Sequence, residues 1–154
     1  MKDNKIPVLY IVVPCYNEQE VLPWSAKVLT DKLSSIISSG AVSEKSRIMF
    51  VNDGSKDRTF EILKNLHREN SLVSAINLSA NCGHQNALLA GLFTAKEYAD
   101  IVISLDADLQ DDINAIDEMV AKYKEGNDVV YGVRSSRRSD TFLKRFRMLR
   151  NSRS

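Results

Sequence analysis

The sequence predicts an α/β fold, a Rossmann-like three-layer α/β/α domain built on a mostly parallel sheet. Three observations point there. Short Val- and Ile-rich runs recur five times, segments with helical spacing separate them, and loops of Asn, Asp, Gly and Ser follow several of the runs. Each run has the length of a buried strand, and the alternation reads β-α-β-α-β-α-β-α-β. In such a sheet ligands bind beyond the carboxyl ends of the strands, so the loops that follow the strands are where a site is expected.

The first run, residues 8–13, ends at Pro14, which is expected to stop the strand. Leu22, Leu29, Leu33 and Ile36 then form one helical stripe, and residues 34–46, containing Gly40, read as a helix end running into a loop. A second strand at 47–51 precedes a helix marked by Phe60, Leu63 and Leu66 or His67, and a third strand covers 72–77. The third helix starts near His84 and carries Leu88, Leu89, Leu92 and Phe93. A fourth strand at 100–105 leads to a helix over 113–123 that Gly126 ends, and a fifth strand follows at 128–133.

With 154 residues, 44% hydrophobic and 27% charged, the chain can bury one core and offers no second domain. Cys15 and Cys82 are too few and too far apart for a disulfide framework or a zinc site, so a reducing, cytoplasmic setting is expected. No apolar run is long enough to span a membrane, and the polar start is unlike a signal peptide. Charge is asymmetric: eight of the 21 lysines and arginines follow Val133, against one of the 20 acidic residues. That segment reads either as a solvated tail or as a partner for phosphate, a membrane surface or nucleic acid. Phe142 and Phe146 are its only aromatics, which argues against a nucleic-acid partner.

Three loops carry candidate chemistry. After the first strand, Pro14, Tyr16 and Glu18 offer an aromatic surface for a base and a carboxylate, although Pro14 and Asn17 equally make a turn with a helix cap. After the second, Gly54 permits a tight turn, Ser55 or Asp57 can cap the next helix, and Asp53 at the strand tip can accept hydrogen bonds from a base or ribose. After the fourth come Asp106, Asp108, Asp111 and Asp112, a density of like charge that calls for a cation. In an extended segment Asp106 and Asp108 point the same way and can share one hard divalent ion bridging a diphosphate, while Asp111 and Asp112 suit a helix N-terminus. No glycine-rich dinucleotide fingerprint follows the first strand, so a nicotinamide-binding reading loses its main support, and no P-loop is present either. The segment from Asn81 to Asn86 places Gly83 and backbone donors before a helix, with His84 a helix-start residue rather than a base.

Taken together, the Val13-Pro14-Cys15-Tyr16-Asn17-Glu18 loop, Asn52-Asp53-Gly54-Ser55, Gly83-His84-Gln85 and Asp106-Ala107-Asp108-Leu109-Gln110 resemble family 2 glycosyltransferases of the GT-A fold. Gly83-His84-Gln85, Tyr131-Gly132-Val133-Arg134 and the stretch from Asp140 to Arg145 look most like the branch of dolichol-phosphate mannose synthases and bactoprenol glucosyltransferases. The match covers residues 8–146. It implies an inverting, metal-dependent transfer of a hexose from a UDP- or GDP-sugar to a polyprenyl phosphate, at the cytoplasmic face of a membrane. It also implies that Pro14, Tyr16, Glu18, Val51 and Asp53 hold the nucleotide and that Asp106, Ala107, Asp108 and Gln110 hold the diphosphate. Asp106, Asp108 and Gln110 would be the groups at Mg²⁺ or Mn²⁺, Asp108 and Arg134 would serve the reaction, and Lys144 and Arg145 would meet the acceptor phosphate.

On this reading residues 1–146 are a nucleotide-sugar-binding catalytic domain, incomplete at its C-terminal side, and 147–154 a basic tail. The alternatives are a non-catalytic donor-binding fragment and a transferase acting on a sugar hydroxyl in polysaccharide synthesis.

Overall fold

A computed structural model describes residues 5–127, 129–132 and 146–150 of the chain. Its elements are β1 (Leu9–Cys15), α1 (Leu22–Ser38), β2 (Arg47–Asn52), α2 (Thr59–Glu69), β3 (Val73–Asn77), α3 (His84–Ala95), β4 (Ile101–Ser104), α4 (Ala115–Lys124), β5 (Val129–Gly132) and β6 (Phe146–Arg150). The strands form one sheet in the order β3-β2-β1-β4-β6-β5. β1 runs parallel to both β2 and β4, and β2 to β3, whereas β6 pairs antiparallel with β4 and with β5. The chain moves outward from β1 to β3 and then returns to the other side of β1 to lay down β4. That reversal opens a crevice at the carboxyl ends of β1 and β4.

The two faces of the sheet are covered unequally. One face carries Leu9, Ile11, Val13, Ile48, Phe50, Ile101 and Ile103 against Leu22, Leu29 and Leu33 of α1, Leu63 of α2 and Ile116, Met119 and Val120 of α4. Phe50, completely buried there, gains about 2 kcal/mol from leaving water. The other face carries Val12, Met49, Val51 and Val102 against Ala87 and Ala95 of α3.

Here the sequence expectation needs correcting. The large residues Leu89 and Phe93, expected to mark the packed stripe of the third helix, are exposed, while the small residues Ala87, Gly91 and Ala95 face the sheet. The reason is distance. A Cβ at Gly91 would lie 2.5 Å from Val12 Cγ1 and 2.8 Å from Val51 Cγ2, so α3 approaches the sheet more closely than leucine packing permits.

Two further differences have local causes. Pro14 does not stop the first strand: it pairs with Val51, and the strand continues to Cys15. Val12 accepts a hydrogen bond from the Leu105 N–H on the β4 side, and Pro14, two residues on, turns the same way. The β1–β4 register ends at Val12, so the missing proline N–H forfeits no ladder bond. The stretch expected to be a basic tail from residue 147 contains most of β6, so residues through Arg150 belong to the sheet. Its arginines masked a strand whose partners, β4 and β5, are supplied only by the fold.

Candidate functional site

Four loops meet at the crevice, those after β1, β2, β3 and β4. The β1–α1 loop and the β2–α2 loop are bound to each other: Asn17 N–H donates to Ser55 Oγ at 3.0 Å, Lys56 N–H to Asn17 Oδ1 at 2.9 Å, Glu18 N–H to Thr59 Oγ1 at 2.9 Å and Arg58 N–H to Gln19 Oε1 at 3.1 Å. Asn17 takes a left-handed conformation, φ 51°, which asparagine tolerates better than most residues and which these bonds hold in place.

The loop before α3 is hung on Asp53. Asp53 is 3% exposed, and its Oδ1 accepts the Cys82 N–H at 2.8 Å and the Cys82 thiol at 3.3 Å. Its carbonyl accepts Asn81 Nδ2 at 3.2 Å, and its own N–H donates to Cys15 O at 2.8 Å. Through its backbone and its carboxylate, one buried residue at a strand tip therefore joins β1, β2 and the loop before α3.

Together these loops enclose a cleft of about 280 Å³ lined by Pro14, Cys15, Tyr16, Glu18, Asp53, Asn81, Gly83, His84, Asp106, Ala107 and Asp108. Seven of the candidates named from sequence thus converge: Pro14, Tyr16, Glu18, Asp53, Asp106, Ala107 and Asp108. Asp106 and Asp108 reach it by a different route from the extended alternation expected of them. β4 ends at Ser104, and a turn closed by the Leu109 N–H on Asp106 O, 3.1 Å, carries both carboxylates to the cleft, with Leu109 at φ 49°.

Other candidates lie elsewhere. Val51 is 0% exposed beneath α3 and has no surface to offer a ligand, because the same close approach that selects Gly91 seals it. Gln110 is exposed and does not line the cleft, and its backbone N–H donates to Asp108 Oδ1 at 3.4 Å. Arg134, Lys144 and Arg145 lie outside the described residues. Asn81 and His84 were not among the candidates and do line the cleft. The signal for them was Gly83, whose φ of 91° turns the chain into α3 and points that helix's N-terminus at the site.

The cleft is electrostatically loaded. Partial burial, and then the charges of Asp108, Asp57 and Asp106, raise the Glu18 carboxyl above its ordinary value. His84 Nε2 lies 3.7 Å from Asp106 Oδ1, an ion pair only when the imidazole is protonated. Burial drives the Cys15 thiol far up, with Glu18 adding to the effect, so Cys15 is no nucleophile.

A raised carboxyl favours the folded state when protonated, so ionised Glu18 costs stability once pH exceeds its folded-state pKa, and the cost vanishes on acidification. Glu18→Gln is accordingly expected to stabilise the fold at neutral pH by a few tenths of a kcal/mol, the solvent-screened scale of such interactions, and to leave it unchanged below pH ~4. Urea denaturation at both pH values checks this.

Among the described residues no group of three His, Cys, Asp or Glu closes around a point that could hold a metal ion. Asp106 and Asp108 are hard oxygen donors on one wall of the cleft, the kind of donor set that holds a divalent cation with phosphate oxygens and water completing the coordination.

The site lies where a mostly parallel α/β sheet reverses its strand order, with an acidic turn after β4 and the exposed Tyr16 on the loop after β1. The chain belongs to glycosyl transferase family 2, whose model matches residues 10–153. It is 51% identical over 145 residues to the uncharacterised glycosyltransferase YkoT of Bacillus subtilis, covering 94% of this chain and 43% of that protein. It is 37% identical over 137 residues to a prophage bactoprenol glucosyl transferase homologue of Escherichia coli, covering 88% of this chain and 42% of that one. The chain therefore spans less than half the length of these relatives. The structure of S. aureus TarS 1-349 in complex with UDP superposes with a TM-score of 0.64 at 17% identity, over 94% of this chain and 47% of that one. The fold is the GT-A fold.

Proposed function

We propose that this chain is the nucleotide-sugar-binding part of a glycosyltransferase that moves a hexose from a nucleotide diphosphate sugar to a polyprenyl phosphate, with inversion and in a metal-dependent manner. The observation that carries the reading is the convergence of Pro14, Tyr16, Glu18, Asp53, Asp106 and Asp108 on one cleft at the carboxyl ends of β1, β2 and β4. The 37% identity to bactoprenol glucosyl transferases supports the lipid phosphate as acceptor. Among the described residues no helix is long and apolar enough to cross a membrane. The proposed place of action is the cytoplasmic face of a membrane.

In this reading Tyr16, 43% exposed at the rim, stacks on the base, and Asp53 accepts hydrogen bonds from the nucleoside. The N-terminus of α3 presents its dipole and free N–H groups to the diphosphate. Asp106 and Asp108 hold Mg²⁺ or Mn²⁺, which when bound neutralises charge on the departing nucleotide diphosphate. Arg134, Lys144 and Arg145 are proposed as cationic partners of the phosphates. A phosphate monoester is already anionic at neutral pH, so its oxygen can attack the anomeric carbon without a side chain removing a proton. The protein's part is then alignment of donor and acceptor.

Calorimetric titration of UDP-glucose and of GDP-mannose into the purified chain, with Mn²⁺ and again with EDTA, tests the donor site. Binding of one of them that EDTA abolishes is the expected result; heats indistinguishable from dilution for both would overturn it.

A further inference from the structure

The cleft is lined by four carboxylates, Glu18, Asp53, Asp106 and Asp108, on facing loops. Glu18 sits in the field of Asp108, Asp57 and Asp106, on the loop that leads into α1. Its peptide groups are held on both sides. The Glu18 carbonyl accepts the N–H groups of Val21 at 3.2 Å and Leu22 at 2.9 Å, and the Glu18 N–H donates to Thr59 Oγ1 at 2.9 Å.

Thr59 is 0% exposed, and its hydroxyl donates to Asp57 Oδ1 at 2.6 Å. Because the hydroxyl proton is committed to Asp57, a lone pair is left facing the Glu18 N–H. Asp57 is itself oriented, accepting the Thr59 N–H at 2.9 Å and the Gln19 N–H at 3.3 Å. Burial alone would raise the Asp57 carboxyl, but the hydrogen bonds from Thr59 and Gln19 outweigh it and keep the group ionised, the state in which it can only accept.

We infer that Thr59 is a positioning residue for donor binding: relayed from Asp57, its hydroxyl fixes the Glu18 backbone so that the Glu18 carboxylate stays in the cleft beside Asp106 and Asp108. The inference rests on the donor-site reading above and adds a device to it. The restraint is local, since it acts through one N–H at the β1–α1 loop, and it costs nothing at the moment of binding because the geometry is set beforehand. Asp57 and Thr59 stand outside the cleft lining, so they act through Glu18 rather than on the ligand.

Thr59→Val keeps the buried volume and removes the hydroxyl. Expected are amide exchange at Glu18 faster by about tenfold or more, unchanged exchange across Ile48 to Asn52, and UDP-glucose or GDP-mannose affinity weakened about tenfold, the scale of one lost hydrogen bond. Thr59→Ser should restore both. In a Glu18→Ala background Thr59→Val should cause no further loss of affinity, which a merely structural role would not predict. Unchanged Glu18 exchange in Thr59→Val, or an undiminished affinity loss in the Glu18→Ala background, overturns the inference. If the parent chain binds neither sugar nucleotide, the donor-site reading fails, and the exchange result still decides whether Thr59 holds Glu18. Should Thr59→Val not fold, Asp57→Ala removes the acceptor that orients the hydroxyl and is expected to give the same changes in the same direction.

Discussion

Asp108→Ala is expected to abolish metal-dependent binding of the sugar nucleotide, weakening it at least about a hundredfold in the presence of Mn²⁺ and leaving no difference on addition of EDTA. The magnitude follows from the several kcal/mol that a cation clamping a diphosphate contributes, at 1.4 kcal/mol per tenfold. The carboxylate is held at the cleft by the turn that follows β4, and among the described residues no group of three His, Cys, Asp or Glu closes around a point that could hold a metal ion. Stability should move the other way. Asp108 is the largest charge contribution to the raised Glu18 carboxyl, so removing it relieves repulsion, and the metal-free variant should melt no lower than the parent. Calorimetry reads the first effect and thermal melting the second. Unchanged affinity in Mn²⁺ would remove Asp108 from the proposed metal site.

Gly54→Ala should be the most damaging single methyl that can be added near the site. Gly54 has φ 63°, and a Cβ there would fall 2.3 Å from Asn81 N and 2.6 Å from Ala80 C. Those are backbone atoms of the loop that Asp53 tethers, so no side chain can swing aside to make room. Left-handed strain costs on the order of 1 kcal/mol and overpacking another 1–3, giving a destabilisation of about 3 kcal/mol. The loop can escape only by letting go of Asp53, so donor affinity should fall along with stability. Equilibrium urea denaturation measures the loss. A change below about 0.5 kcal/mol would show that the β2–α2 turn and the loop before α3 are not in contact in solution.

Much of the architecture was legible because local pattern and burial agree. The five Val- and Ile-rich runs became β1 to β5, and the stripes Leu22-Leu29-Leu33-Ile36 and Leu63 packed on one face as their spacing implied. Residues at strand ends also come together in space. Pro14, Tyr16, Glu18, Asp53, Asp106, Ala107 and Asp108 meet because a parallel sheet delivers all its carboxyl ends to one edge.

What the chain's one-dimensional pattern left open was every question of distance between elements. It could not say that α3 would approach the sheet on Ala87, Gly91 and Ala95 and leave Leu89 and Phe93 outside, since that depends on the space above Val12 and Val51. It placed Val51 at the ligand, whereas α3 seals it, and it placed Gln110 with the aspartates, whereas the turn at Leu109 leaves it exposed and off the cleft lining. It treated Arg147 to Arg150 as part of a basic tail, because a strand's identity is completed by partners far away in sequence.

Sequence alone determined the fold class, the family resemblance and which strand tips carry carboxylates, because periodicity and loop chemistry are local properties of the chain. Only the tertiary structure decided which of those residues reach the cleft, that Asp53 anchors the loop before α3, and that Asp57 and Thr59 restrain Glu18. Hydrogen bonds between loops some 40 residues apart exist only once the sheet has brought their ends together.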